Sequence, residues 1–82
     1  MSISAVELDA RVADVTVRDG LLEVTLRDGR RISAPLAWFP RLANAKPEAR
    51  LDWQPCAAGF GIHWPQLDED LSVEGLLKSG SV

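Results

Sequence analysis

Two Asp-Gly pairs, each set between segments of alternating apolar and polar residues, constrain the fold more than any other feature of the sequence. Apolar residues occupy every second position on either side of Asp19-Gly20 and Asp28-Gly29. Glycine accepts the positive φ that tight hairpin turns require, so these pairs predict turns between strands. The region from Val12 to Ala34 is therefore expected to form a meander of three antiparallel strands, with one apolar face and one charged face.

Prolines divide the next part of the chain into short elements. Pro35 is expected to end the sheet, because proline cannot donate to a strand ladder. Pro40 and Pro47 each suit the first turn of a helix. The expected elements are a short turn at Leu36–Trp38, a helical piece over residues 40–44 and a second one at Pro47–Leu51.

The last third of the chain predicts a hairpin followed by a helix. We expect strands over residues 51–57 and 60–64, and Pro55 indicates that the first of them lies at a sheet edge or carries a bulge. An acidic loop should then lead to Ser72, a good N-cap for a helix in which Leu76 and Leu77 close the core. The predicted fold class is α+β: a three-stranded antiparallel meander, short broken helices, a second β-hairpin and a short C-terminal helix. We expect a single domain over residues 1–82, with an ordered core at about residues 11–78.

Charge and cysteine content narrow the classes of function. A net charge of −3 and a pI near 4.9 argue against the concentrated basic face that binds phosphates. Cys56 is the only cysteine, so no internal disulfide can form. The N-terminus lacks a secretory pattern, and no apolar run reaches the length of a membrane span. A cytoplasmic protein without membrane attachment is expected.

His63 is the only histidine, and an acidic run follows it. That run could supply oxygen ligands, but it lacks the spaced ladder of a calcium site. Cys56 and His63 lie on neighbouring predicted strands, although a nucleophile also needs hydrogen-bond reach and an orienting group. We therefore expect no cofactor and no enzymatic activity. The alternative is a small ligand-binding or metal-binding domain, or an enzyme, that uses His63 with Asp68 and Asp70.

The three tryptophans suggest a different kind of site. Trp38, Trp53 and Trp64 can form most of a small core, but tryptophan is also enriched in binding hot spots. We expect a non-enzymatic interaction module with exposed apolar area at its centre and acidic residues at its rim. The candidate partner-binding residues are Trp38, Phe39, Arg41, Trp64, Asp68, Glu69 and Asp70. Self-association through an exposed strand edge, giving a homodimer, is the related alternative.

A DNA-binding regulator is the third hypothesis. It requires the arginines of the central region to share one continuous face. These arginines are Arg27, Arg30, Arg31 and Arg41. Acidic residues are interspersed among them, so a mixed, solvated surface is expected instead.

Several segments together resemble the bacterial domain-of-unknown-function 2442 family. The likeness runs from Val12 to Leu77, in the segments RDGLLEVTLRDGRRI, PLAWFPRL, PEAR and GIHWPQLDEDLSVEGLL. The resemblance implies a small α+β domain with a meander sheet packed on short helices. Some members of that family occur as the second partner of a two-component operon. The resemblance therefore implies an antitoxin-like or regulatory role beside another small protein encoded nearby, and the acidic charge of this chain favours a basic partner. The family favours Ser or Thr where Lys46 precedes Pro47, which implies a looser helix start here.

Overall fold

The structure is a computed structural model that describes residues 7–80. The ends of the predicted domain, residues 1–6 and 81–82, lie outside the described residues. The elements are β1 (Val12–Arg18), β2 (Leu21–Leu26), β3 (Arg31–Pro35), a 3₁₀ helix (Leu36–Trp38), α1 (Pro40–Ala43), α2 (Pro47–Leu51), β4 (Gln54–Cys56), a left-handed turn (Ala57–Gly59), β5 (Gly61–Trp64), β6 (Glu69–Ser72) and α3 (Val73–Gly80). The described strands form two antiparallel sheets, β1-β2-β3 and β4-β5-β6. The predicted α+β class is confirmed.

Both Asp-Gly pairs form the hairpin turns that the sequence predicts. Asp19 and Gly20 have φ of 54° and 75°, the two positive values that a two-residue type I′ turn requires. The second turn is longer, because Leu26 donates its backbone N–H to the carbonyl of Arg30 at 2.8 Å. Gly29, with φ of 95°, lets that three-residue loop close. The meander thus has one two-residue turn and one three-residue turn.

A β-bulge near the start of β1 sets which residues reach the core. Val12 pairs with Leu26, but Asp14 pairs with the next residue of β2, Thr25, so Ala13 is an extra residue in the ladder. The bulge explains why Val12 and Val15 are both buried although they are three positions apart. The buried residues of this sheet are Val12, Val15, Leu22, Val24, Leu26, Ile32 and Ala34.

The proline-led helices cover this sheet and are held to each other by one arginine. Leu42 of α1 is fully buried in the core. The Nε and Nη2 atoms of Arg50 donate to the carbonyls of Leu42 and Ala43, each at 2.8 Å. The Leu42 carbonyl also accepts the backbone N–H of Ala45 at 3.2 Å, so the guanidinium adds to the hydrogen bonds that close the end of α1. Lys46 gives α2 no side-chain cap, as the resemblance implied.

The second sheet differs from the prediction of a simple hairpin. Glu69–Ser72 pairs with β5 as a third strand, with Leu71 opposite Ile62, so part of the expected acidic loop is a strand. The chain reverses over the four residues before it, where Asp68 has φ of 50°. Strand pairing outcompetes a helical start here because it places Leu71 against the core. The predicted edge position of Pro55 in β4 is confirmed.

The C-terminal helix begins as predicted, but it closes the core with one leucine only. Ser72 accepts a hydrogen bond at Oγ from the backbone N–H of Gly75 at 2.9 Å, which confirms the cap. Leu76 is 3% exposed, whereas Leu77 is 40% exposed, so the prediction for Leu77 is wrong. None of the helices in residues 7–80 combines the length and apolar character needed to cross a bilayer.

Candidate protein-interaction site

A cleft of about 250 Å³ separates the end of the 3₁₀ helix from the junction of β6 and α3. Its walls are Phe39, Asp70, Leu71, Ser72, Gly75 and Leu76. Phe39, Leu71 and Leu76 make its floor apolar, and the exposed Asp70 lies at its rim. Two of the predicted partner-binding residues, Phe39 and Asp70, therefore meet in one surface feature.

The two aromatic residues beside the cleft differ in exposure. Pro35 ends β3 and the chain turns at once into the 3₁₀ helix, where the backbone N–H of Phe39 donates to Leu36 at 2.9 Å. Phe39 is half-buried against the core, while 49% of Trp38 is exposed. Within residues 7–80 the indole of Trp38 makes no hydrogen bond. Trp38 is thus an exposed aromatic residue directly before the cleft.

Arg41 ties α1 to the turn that carries the acidic residues. Its Nη1 atom donates to the backbone carbonyl of Asp68 at 2.6 Å. The Asp68 side chain is exposed, in line with a residue of positive φ at the tip of a turn. The structure therefore brings Arg41 beside Asp68.

His63 and Asp70 face each other across β5 and β6. The His63 Nδ1 atom and the Asp70 Oδ1 atom are 2.6 Å apart. Their side chains are 33% and 68% exposed, so the pair lies on the outer face of the second sheet. Glu69, one residue before, accepts the backbone N–H of Asp70 at Oε1, 3.2 Å away. Asp68, Glu69 and Asp70 are thus three consecutive acids of the turn and β6, the acidic rim, of which only Asp70 lines the cleft.

Trp64 does not belong to this surface, and its predicted role as exposed contact area is wrong. The side chain is fully buried, and its indole Nε1 donates to the carbonyl of Arg50 at 3.1 Å. Strand alternation along β5 is the cause, because Ile62 and Trp64 point to the core while His63 points outward. The same alternation is visible in the sequence and could have placed Trp64 inside.

The nucleophile alternative lacks its central contact. Cys56 pairs with Gly61 and His63 pairs with Gln54, so the two residues are offset along the strands. The Cys56 Sγ atom lies 2.8 Å from the position of a Cβ at Gly61, and it makes no hydrogen bond with His63. In the described part of the chain, no group of three or more His, Cys, Asp or Glu residues could hold a metal ion.

The arginines of the DNA hypothesis do not share one face. Arg30 pairs with Asp28, with 2.8 Å between the Nη2 and Oδ2 atoms. Arg31 lies in a groove on the outer face of the meander together with Asp14 and Glu23. Arg41 contacts Asp68 on a different element. Acidic residues interleave with the arginines in space, and the condition set for DNA binding is not met.

Two Asp-x-Arg contacts of the same kind are present in the structure and were not predicted from the sequence. Asp28 accepts from Arg30 and Asp9 accepts from Arg11, through side chain and backbone in each case. These hydrogen bonds lower the pKa of both carboxyls to about 2. The contacts anchor the segment before β1 to the β2–β3 turn, where Asp9 donates its N–H to Asp28 at 2.9 Å. The spacing in the sequence was the available signal.

The fold and site define a small α+β domain with two antiparallel sheets and an open cleft lined mainly by apolar residues. The family model described as "Protein of unknown function (DUF2442)" matches residues 12–80, and the chain belongs to that family. No protein in the search of curated proteins matches it.

Two solved structures are similar to the chain. One is the crystal structure of a protein of unknown function from Rhodospirillum rubrum, with 27% identity and a TM-score of 0.70 over 84% of this chain and 86% of that one. The other is the solution structure of an uncharacterized protein from Chromobacterium violaceum, with 24% identity and a TM-score of 0.71. The match covers 83% of this chain and 64% of that longer one, and it shows the fold alone.

Proposed function

We propose that the protein is a non-enzymatic interaction module that binds a small basic protein, as an antitoxin-like or regulatory partner. The observation that carries the proposal is the cleft that starts at Phe39, the residue after the exposed Trp38, with apolar walls and with Asp70 of the acidic rim in its lining. The lone cysteine, Cys56, supports a reducing cytoplasmic setting for this pairing.

The apolar part of the surface supports a protein partner. Trp38 leaves about half of a large, rigid side chain in water, next to a cleft walled by Phe39 and Leu76. Interface hot spots typically combine such an aromatic residue with a neighbouring apolar depression. A partner side chain that enters the cleft would cover Trp38 at the same time.

The charges around the cleft support a basic partner. Asp68, Glu69 and Asp70 lie on consecutive positions of the turn and β6. Arg41 is the nearby cation, and it contacts a backbone carbonyl rather than one of these carboxylates. The rim therefore has an excess of negative charge, which raises the association rate of a basic partner and selects against acidic ones.

The contact between His63 and Asp70 favours a second candidate, a small-ligand site. A carboxylate on one ring nitrogen is the arrangement that orients an imidazole for proton transfer. The cleft is lined by Asp70 but by neither His63 nor a second carboxylate, so the pair lies outside an enclosing pocket. We rank this candidate below the interaction module for that reason.

Affinity purification of the tagged protein from its native host tests the leading proposal. Recovery of a stoichiometric small basic protein is the expected result. Trp38→Ala should reduce that recovery by at least about tenfold, since truncated hot-spot residues cost more than about 1–2 kcal/mol. Phe60→Ala is the matched control, because Phe60 is 47% exposed, nearly as much as Trp38, and does not line the cleft.

A charge variant separates the rim from the aromatic anchor. Neutralising Asp68, Glu69 and Asp70 to Asn, Gln and Asn should slow association and flatten its dependence on salt. Glu48→Gln, an exposed acid on α2, should change neither. Recovery of the tagged protein alone, or equal loss with Trp38→Ala and Phe60→Ala, contradicts the proposal.

A further inference from the structure

The outer edge of β1 is the longest strand edge that the described residues leave open. β1 has seven residues and pairs only with β2. The opposite edge strand, β3, packs against α3. In the second sheet, β4 has three residues and includes Pro55, which lacks an N–H, and β6 has four. Edges without such protection are where another strand can add.

The backbone of β1 offers regular hydrogen-bonding groups at this edge. Arg18 and Leu21 flank the two-residue turn and pair with each other, and residues in that position exchange backbone hydrogen bonds. Along an edge strand, the backbone N–H and C=O groups of successive residues point alternately to the neighbouring strand and to the open edge. Those of Thr16 point to β2, so the backbone groups of Val15 and Val17 point to the open edge. No backbone hydrogen bond from outside the sheet reaches Val15 or Val17 within residues 7–80.

The side chains on the charged face of β1 are complementary to those of a second copy of the same strand that runs antiparallel to it. Asp14, Thr16 and Arg18 occupy alternate positions, with opposite charges at equal distances from Thr16. Asp14 makes no ion pair in the described part of the chain. Arg18 uses its Nε atom for Glu23, at 3.0 Å, which leaves its terminal nitrogens for a second carboxylate.

We infer that two copies of the protein pair through the edges of β1, antiparallel about a two-fold axis at Thr16. In this register Asp14 of one copy lies opposite Arg18 of the other, twice by symmetry. Val15 lies opposite Val17 of the other copy, and the backbone N–H and C=O groups of both residues point to the open edge. The backbone N–H groups of each copy therefore lie opposite C=O groups of the other, and the two meanders form one continuous six-stranded sheet.

The apolar side of the same edge also suits a second copy. A groove of about 140 Å³ runs beside Val15 and Val17, with Pro47, Arg50 and Leu51 of α2 as its other wall. Leu51 is 76% exposed, the most exposed of the large apolar side chains described. A second copy brings an identical groove to the seam, so that Leu51 of each copy gains an apolar neighbour.

This pairing is independent of the proposed partner cleft. The residues of the β1 edge and its groove include none of those that line the cleft. A homodimer therefore leaves the cleft free, and each interface can be disrupted alone.

Cysteine cross-linking in a Cys56→Ser background tests the register. Residues directly opposite at a non-hydrogen-bonded position have Cα atoms about 4.5 Å apart, within disulfide range. Thr16→Cys should therefore cross-link two copies under mild oxidation. Thr25→Cys is the matched control, because Thr25 lies on the same face of the central strand β2, away from the seam. It should remain uncross-linked.

Charge reversal with sedimentation equilibrium tests the same interface without cysteines. The purified protein should be a dimer, and Asp14→Arg should raise its dissociation constant by about tenfold or more. Adding Arg18→Asp to Asp14→Arg should restore dimerisation, because the opposite charges meet again. Glu74→Arg, on α3, should have no effect. A monomeric protein at all concentrations, or equal cross-linking of Thr16→Cys and Thr25→Cys, overturns the inference.

Discussion

The two sheets contain the same number of strands, but their turns impose different demands on the backbone. The first sheet turns at Gly20 and Gly29, which adopt positive φ at no steric cost. The second turns at Ala57 and Ala58, with φ of 51° and 58°. A left-handed backbone costs a residue with a Cβ about 1–2 kcal/mol. The first sheet has one such residue, Asp19, whereas the second has Ala57, Ala58 and Asp68, so the second retains more local strain.

The sheets also differ in what they present to solvent. The first buries one complete apolar face under the helices and leaves a face of paired charges, such as Arg18 with Glu23. The second buries Ile62 and Trp64 and leaves His63 with Asp70 at its outer face. It also supplies β6 to the cleft beside Trp38. The regular sheet is thus the stabilising half, and the irregular one carries the candidate partner surface.

The largest expected effect separates the buried tryptophan from the exposed one. Trp64→Ala should destabilise the protein by about 3–5 kcal/mol, because it removes a fully buried side chain. Trp38→Ala should change stability by about 0.5–1 kcal/mol, since half of that side chain is already in water. Urea unfolding followed by circular dichroism measures both. Similar losses for the two variants contradict the division between core and surface.

Reciprocal glycine and alanine substitutions test the contrast in turns. A Cβ at Gly20 would meet no atom within 4 Å, so Gly20→Ala isolates the backbone cost and should destabilise by about 1–2 kcal/mol. Ala58→Gly should instead stabilise by up to about 1 kcal/mol, because relief of the positive φ exceeds the added chain entropy.

Ala37→Gly is the control for these turn variants. Ala37 is exposed and has no positive φ, so glycine there should only cost about 0.5–1 kcal/mol through the unfolded chain. Comparing urea midpoints of the three variants shows whether the left-handed alanine turn of the second sheet is strained. Destabilisation by Ala58→Gly would mean that the left-handed turn is not strained.

The sequence predicts the first half of the fold better than the second for a physical reason. Asp-Gly turns, period-two alternation and proline-led helices are local signals, and each specifies its element without reference to distant residues. The bounds of the 3₁₀ helix and of α2 agree with the prediction for this reason. The third strand of the second sheet has no such local signal. Glu69–Ser72 becomes a strand because β5 and the core lie beside it.

In the candidate site, too, features encoded by a local pattern can be predicted from the sequence and contacts between distant segments cannot. Strand alternation around His63 is sufficient to place Trp64 in the core, whereas the residue type alone favours an exposed binding contact. The meeting of Phe39 with Asp70, and of Arg41 with the carbonyl of Asp68, joins segments far apart in the chain. No local pattern encodes such contacts, because they depend on how the helices and the second sheet pack.

Acid should weaken the turn of the first sheet that joins β2 to β3, and this is the smallest of the expected effects. The Arg30 side chain and backbone lower the pKa of Asp28 from 3.8 to about 2. A carboxyl with a lowered pKa stabilises the folded state at pH values above its ordinary pKa of 3.8. That contribution is lost as the pH falls towards 2. The urea midpoint should therefore decline below about pH 4. Asp28→Asn should reduce that decline, while its amide oxygen still accepts the backbone N–H of Arg30. An undiminished decline in the variant would show that Asp28 does not couple acid to the stability of the meander.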